Sequence, residues 1–151
     1  MKILCAILLA VYSFSSPCFA NEARYNPAAN PFADFQQAKV AAGKNGKHIL
    51  LIAGGNWCNW CQALDQYLQD NADVREELKT NFEVIKVYVG EENMNTKFFD
   101  TLPKFTGVPH FWILTADGKV LGSVASAIFE DKYERYNKQA LLQFFRQYAK
   151  K

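Results

Sequence analysis

The feature that most restricts the fold is a short apolar run that passes through a glycine turn into two cysteines spaced three apart. The run, residues 49–53, is continuous rather than alternating, which is typical of a strand covered on both faces. Gly54 and Gly55 predict a tight turn after it. A helix is then predicted to begin near Asn59, so Cys58 and Cys61 lie where a strand turns into a helix.

Further apolar runs and helical patterns alternate along the chain. Strands are predicted at residues 84–89, 110–114 and 120–123, with a hairpin turn at 116–119. Helices are predicted from an N-cap at Asn30 to about Ala42, after Asp73, weakly over 95–102, and near the C-terminus. Strands separated by helices favour parallel pairing, and the final hairpin adds an antiparallel edge. The pattern predicts an α/β three-layer sandwich with a central mixed sheet of about four strands flanked by helices.

Length and composition fit a single domain and argue against nucleic acid as a partner. The chain has 151 residues, 50% of them hydrophobic, enough for one core. We expect the domain to occupy residues 32–151, after a flexible lead-in over 21–31. The net charge is only +2, and the charges are mixed along the chain, which does not fit a nucleic-acid-binding protein.

The first residues have the pattern of a secretory signal peptide over 1–20, with Lys2 before an apolar run and cleavage predicted after Ala20. The apolar run, residues 3–14, is shorter than the roughly 20 residues of a spanning helix. A lipoprotein signal ending at Cys18 is the alternative, although residues 15–17 match a lipobox poorly. The sequence therefore predicts an exported, periplasmic protein with no stable membrane insertion after cleavage.

Removal of the signal leaves one cysteine pair. Of 4 cysteines, Cys5 and Cys18 belong to the signal, and Cys58 and Cys61 remain. A helix N-terminus favours the thiolate, which is the form that attacks a disulfide. We therefore expect Cys58 to be the exposed attacking thiol and Cys61, one turn later, the shielded resolving thiol. Neither a metal nor another cofactor is required for this chemistry.

A redox role for the pair competes with a structural role and with two metal-binding roles. An inert disulfide or two core cysteines fits the spacing but not its position after a strand and a glycine turn. A closed zinc site needs four ligands, and only His48 and His110 could complete it. Haem attachment needs a histidine directly after the second cysteine, where this chain has Gln62. The sequence thus favours a redox pair without a metal.

The segments around these cysteines resemble the thioredoxin superfamily, in particular small exported bacterial thioredoxin-like proteins and the C-terminal domain of DsbD. The resemblance extends from about Phe32 to the C-terminus. It rests on the strand at 49–53, the Trp-Cys-Asn-Trp-Cys motif at 57–61, the strand at 82–89, and the Gly-Val-Pro-His stretch at 107–110 with the strand and turn that follow.

The resemblance implies a substrate-binding surface around the pair. It implies that the Val108-Pro109 bond is cis and faces the cysteines, and that Val108 offers its backbone to an extended substrate. Trp57 is expected to flank the site. We expect Asn59 and Trp60, between the cysteines, to be exposed and to shape docking.

Two positions near the motif raise separate questions. Thioredoxins proper carry a buried acid six residues before the first cysteine, which helps the second cysteine exchange its proton; here that residue is Ile52. His110 follows the proline and is a candidate for redox tuning, because an imidazolium near the thiols lowers their pKa. The alternative is an ordinary strand histidine.

Together these features predict a periplasmic thiol–disulfide oxidoreductase that reduces protein disulfides. The alternatives are a thiol oxidant or isomerase on the same fold, or a non-catalytic protein that binds substrates or carries a metal. Expected partners are protein or small-molecule thiols and disulfides, together with an upstream membrane thiol reductase. No insertion large enough for a dimerisation domain is present, which argues against a dimeric isomerase, and a monomer is expected.

Overall fold

The computed structural model describes residues 25–131, 133 and 136–150. The predicted signal peptide, 1–20, and its cleavage after Ala20 lie outside the described residues. Within them, no helix combines the length and the apolar character needed to span a bilayer.

The described chain forms a four-stranded mixed sheet with helices on both faces, which confirms the predicted fold class. The strand order is β2-β1-β3-β4. Strand β1 pairs in parallel with β2 and antiparallel with β3, and β3 pairs antiparallel with β4. The elements in chain order are α1 (Pro31–Asn45), β1 (His48–Gly54), α2 (Asn59–Asp70), α3 (Ala72–Asn81), β2 (Phe82–Tyr88), α4 (Thr96–Phe99), β3 (His110–Leu114), β4 (Val120–Ala125), a 3₁₀ turn (Ser126–Phe129) and α5 (Lys138–Gln147).

The direction of β3 differs from the parallel pairing that the alternation of elements suggests. A parallel crossover must return along the length of a strand, and helix α4 has only 4 residues, or about 6 Å at 1.5 Å per residue. The chain therefore re-enters the sheet at the end where β2 left it. As a result His110, at the start of β3, pairs with Ala53 near the end of β1. The residues before β3 are thus brought to the edge of the sheet that also carries the cysteine turn.

Helix α1 begins as the sequence predicts and ends later. The Asn30 side chain accepts hydrogen bonds from the backbone N–H groups of Phe32 and Ala33, and Pro31 is the first helical residue. The helix continues past Ala42 to Asn45. Gly46 then ends it in the left-handed region, at φ 68°, where glycine has no steric penalty.

Residues 25–31, expected as part of a flexible lead-in, pack against the domain. Tyr25 is only 1% exposed. Its backbone N–H donates to Asn56 Oδ1 at 3.1 Å, and its carbonyl accepts from Asn56 Nδ2 at 2.7 Å. This paired contact ties the segment to the turn that precedes the cysteines.

The sheet separates two apolar cores. Helices α2, α3 and α5 cover one face, where both cysteines lie, and α1 and α4 cover the other. His110 points to the α1 side with Trp112; their ring centroids are 4.4 Å apart. Its Nε2 is 2.9 Å from Ser123 Oγ, and burial lowers the pKa of the imidazole to about 4. The ring is therefore neutral at pH 7.

This burial predicts an acid-sensitive contribution to stability. As pH falls below about 6.5, the unfolded chain binds a proton at His110 before the folded chain does, so the free energy of unfolding decreases until about pH 4. The loss from this group is at most about 3 kcal/mol. NMR titration should give a His110 midpoint near 4, and the decrease in the free energy of unfolding over this range should shrink in His110→Gln. A midpoint near 6.5 contradicts the prediction.

Candidate active site

Cys58 is the N-cap of helix α2. Its backbone is extended, at φ −94° and ψ 111°, and its Sγ accepts a hydrogen bond from the Cys61 backbone N–H at 3.1 Å. The turn before it is closed by a bond from the Cys58 N–H to the Gly55 carbonyl at 3.1 Å. The sulfur thus lies where the unpaired amides and the helix dipole stabilise negative charge.

The two cysteines form a disulfide, and their surroundings differ. Their Cα atoms are 5.2 Å apart. Cys58 is 7% exposed, while Cys61 is fully buried in the core below α2. In this oxidised state an incoming thiol therefore has access only to the Cys58 side of the bond. Cys58 is less exposed than the sequence predicts, and the roles of attacking and resolving thiol stay predictions.

The loop before β3 faces the disulfide. The Val108–Pro109 peptide bond is cis, and the Val108 carbonyl oxygen lies 3.9 Å from Cys58 Sγ. Pro109 is buried, and its carbonyl accepts the Ser126 N–H at 3.0 Å, which fixes the loop to the 3₁₀ turn. The structure thus places the backbone of Val108 next to the sulfur that a substrate would reach.

Trp57 flanks the pair in a defined orientation. Its side chain is 60% exposed, yet the indole Nε1 donates to the Val89 carbonyl at 2.9 Å. Gly55 and Gly90 make room for the ring, because a Cβ on either would lie 2.3 Å or 2.5 Å from Nε1. The indole is an exposed but immobilised wall of the site.

The two residues between the cysteines differ in exposure. Asn59 is exposed, as expected. Trp60, which was expected to be exposed, is half-buried. Its ring packs edge-on against Tyr136, with ring centroids 5.7 Å apart. The Tyr136 hydroxyl is 3.2 Å from Ser126 Oγ, and burial raises the pKa of Tyr136 to about 12. The segment after β4 thus packs against the Trp60 ring through Tyr136.

The histidines lie away from the sulfurs. The His110 ring is on the α1 side of the sheet and is neutral, so the geometry gives no support to redox tuning by an imidazolium. His48 is at the start of β1, where its Nδ1 is 2.7 Å from the Tyr148 carbonyl oxygen. In the described ranges no three His, Cys, Asp or Glu side chains come together as a metal site.

A buried carboxylate under the site was missed by sequence reasoning. Asp65 follows Cys61 by one helical turn on the buried face of α2, and its side chain has 0% exposure. Lys86 of β2 places Nζ 2.8 Å from Asp65 Oδ1, and neither oxygen accepts a hydrogen bond from any other described residue. In the register of the sheet, Lys86 is the partner of Ile52. A buried acid is therefore present near the pair, on helix α2 rather than at the Ile52 position.

Tyr25 completes this cluster. Its ring lies over the Gly54 backbone, where a Cβ would come within 2.5 Å of it, and 5.7 Å from Lys86 Nζ. Burial, and then the negative charge of Asp65, raise the pKa of Tyr25 well above its usual value. The Asp65 carboxylate therefore lies among an ammonium, a neutral phenol and apolar side chains.

The signal for Asp65 was present in the helix pattern. Cys61, Leu64 and Leu68 define the buried face of α2, and a residue four after Cys61 must share it. The partner could not be inferred in the same way. Lys86 lies far along the chain, and only the parallel register of β1 and β2 brings it opposite.

Comparison with known proteins places these features in a family. The family model described as a thioredoxin-like domain matches residues 35–141. A solved disulphide isomerase from Xylella fastidiosa Temecula1 is 27% identical, covers 85% of this chain and 98% of its own, and superposes with a TM-score of 0.71. No curated protein matches the sequence significantly.

Two more distant structures share the fold. The oxidised C-terminal domain of DsbD from Neisseria meningitidis is 14% identical, with coverages of 80% and 97% and a TM-score of 0.57. A thioredoxin from Thermus thermophilus is 20% identical, with coverages of 82% and 85% and a TM-score of 0.54. These likenesses agree with the mixed sheet flanked by helices.

The Asp65–Lys86 pair predicts strong energetic coupling. Lys86→Met leaves a buried, uncompensated carboxylate and should lower the free energy of unfolding by about 3 kcal/mol. Adding Asp65→Leu removes that charge and should restore most of the loss. Urea unfolding of the two single variants and the double variant measures the coupling. The exposed Asp73–Lys138 pair is the control and should show little coupling energy. Additive effects of the Asp65 and Lys86 substitutions on the free energy of unfolding would rule out the buried pair.

Proposed function

Because the chain belongs to the thioredoxin-like domain family, we propose that it is a periplasmic thiol–disulfide oxidoreductase that reduces protein disulfides. The observation that carries the proposal is the Cys58 sulfur. It caps a helix, accepts the Cys61 amide and lies 3.9 Å from the Val108 carbonyl oxygen. A sulfur so placed is activated as a thiolate and has a backbone acceptor next to it for an extended substrate.

The first step begins with the dithiol. The Cys58 thiolate attacks one sulfur of a substrate disulfide, a Cys58–substrate bond forms, and the other substrate sulfur leaves as a thiolate that takes a proton. The helix N-terminus stabilises the attacking thiolate. The Val108 backbone holds the substrate strand across the site, and Trp57 limits its approach on one side.

In the second step the buried thiol resolves this intermediate. Cys61 loses its proton and attacks Cys58 Sγ, so the Cys58–Cys61 disulfide forms and the second substrate thiol is released. Two electrons and two protons thereby pass from the pair to the substrate. We assign Asp65 as the acceptor of the Cys61 proton, because it is buried one turn along the same helix face. Lys86 Nζ lies 2.8 Å from Asp65 Oδ1 and holds the carboxylate in position.

Periplasmic location and recharging complete the proposal. The predicted signal peptide over 1–20 supports export. An upstream membrane thiol reductase is the proposed source of electrons that return the disulfide to the dithiol. Substrates would be proteins or small molecules that carry disulfides.

An isomerase is the second candidate. The Xylella fastidiosa protein, at 27% identity to this chain, is a disulphide isomerase. An isomerase uses the same attack by Cys58 but releases the substrate after rearrangement, without net transfer of electrons. The two candidates differ in the potential of the cysteine couple rather than in its geometry.

Trapping of the mixed disulfide tests the proposed function. Cys61→Ser removes the resolving thiol, so reduced protein mixed with a periplasmic extract should accumulate adducts through Cys58 that dithiothreitol releases. Cys58→Ser is the matched control, because its remaining thiol is buried and should form few adducts. Adducts are counted on non-reducing gels and identified by mass. Absence of adducts with Cys61→Ser, together with no insulin reduction by the wild type, would refute an oxidoreductase.

A further inference from the structure

A groove opens beside the redox pair, on the flank formed by Trp57. Its volume is about 800 Å³, and it lies between the segment after β2 and the segment that leads to Val108. Trp57 and Val108 therefore border both the groove and the disulfide. A polypeptide that reaches Cys58 can extend into this groove without crossing the helix.

The groove has apolar walls that are held in place. The Trp57 indole is fixed by its bond to the Val89 carbonyl. Phe99 and Phe105 pack against each other at 5.1 Å between centroids. Met94 is 57% exposed and adds a flexible apolar side chain. A groove with this lining and volume suits a segment that carries a large apolar or aromatic side chain.

The rim of the groove is acidic in a chain whose net charge is +2. Glu91 and Glu92 are exposed there. Asp100 also lines the groove, but it is paired with Lys104, whose Nζ lies 2.5 Å from Asp100 Oδ1. Two carboxylates therefore remain without a cation among the described lining residues. Their field favours a positively charged ligand and disfavours an acidic one.

We propose that this groove selects the substrate, an extended segment of a partner protein. The segment carries a large apolar side chain a few residues from its reacting cysteine. Lysine or arginine residues lie beside that apolar side chain. This inference rests on the proposed function, since it names the substrates of the same cysteine pair. The apolar side chain packs against the groove wall formed by Trp57, Phe99 and Phe105. The basic residues lie against Glu91 and Glu92, and the Val108 backbone continues the contact to Cys58.

Matched peptides test the inference. Three short peptides, each with one cysteine in a mixed disulfide with glutathione, differ near the cysteine: Phe between two lysines, Phe between two glutamates, and Gly between two lysines. Stopped-flow measurement of their reaction with the reduced protein should show the Lys-Phe peptide about five-fold faster than either of the others. The advantage over the glutamate peptide should fall as salt is raised to about 0.5 M.

Variants locate the effect. Glu91→Gln/Glu92→Gln should remove the preference for lysine, and Met94→Gln should reduce the preference for Phe. Asp70→Asn/Glu76→Gln is the control, because it removes two exposed carboxylates from helices α2 and α3 and should leave both preferences unchanged. Equal rates for the lysine and glutamate peptides, or a preference that persists in Glu91→Gln/Glu92→Gln, overturns the inference.

A binding measurement separates this inference from the proposed function. The same peptides with serine in place of cysteine cannot react, and their affinity for the oxidised protein follows from tryptophan fluorescence. Tighter binding of the Lys-Phe peptide supports the groove even if no disulfide is reduced. If glutathione disulfide is reduced but the serine peptides bind equally, the groove assignment is wrong and the redox function stands.

Discussion

The hydrogen bond from the Cys61 backbone N–H to Cys58 Sγ is the contact on which the rest of the site depends. A helix must begin with amides that have no partner inside the helix, and this chain offers them a sulfur instead of the usual oxygen of serine, threonine or aspartate. The same contact starts α2, holds the two sulfurs one turn apart, and stabilises negative charge on the outer one. Local folding and redox chemistry thus share one interaction.

The sheet supplies the other half of the site. Because α4 is too short to carry the chain back along the sheet, β3 runs antiparallel to β1, and its first residues lie at the edge where β1 ends. That geometry brings the Val108 carbonyl to the Cys58 sulfur. Glycines then let Trp57 lie close to the backbone on one flank. Next to Cys58, a substrate therefore meets the Val108 backbone and the fixed Trp57 indole.

Local patterns in the sequence were sufficient for much of this arrangement. The apolar run at 49–53, the glycine turn and the Asn30 cap each act through neighbouring residues, so the strand, the start of α2 and the start of α1 were predicted. The signals that failed were those whose cause lies far along the chain. Burial of Trp60 depends on Tyr136, and packing of residues 25–31 depends on Asn56. The Asp65–Lys86 pair depends on strand register, and no short-range pattern carries that information.

The reduction potential of the Cys58–Cys61 couple tests most directly whether the site works as a reductant. Equilibration of the purified domain with mixtures of dithiol and disulfide, followed by alkylation and mass measurement, gives the potential. A pair that reduces protein disulfides should have a value more negative than about −200 mV, towards the roughly −270 mV of thioredoxin. A value less negative than about −180 mV, in the range of protein disulfide isomerase and DsbA, would contradict it.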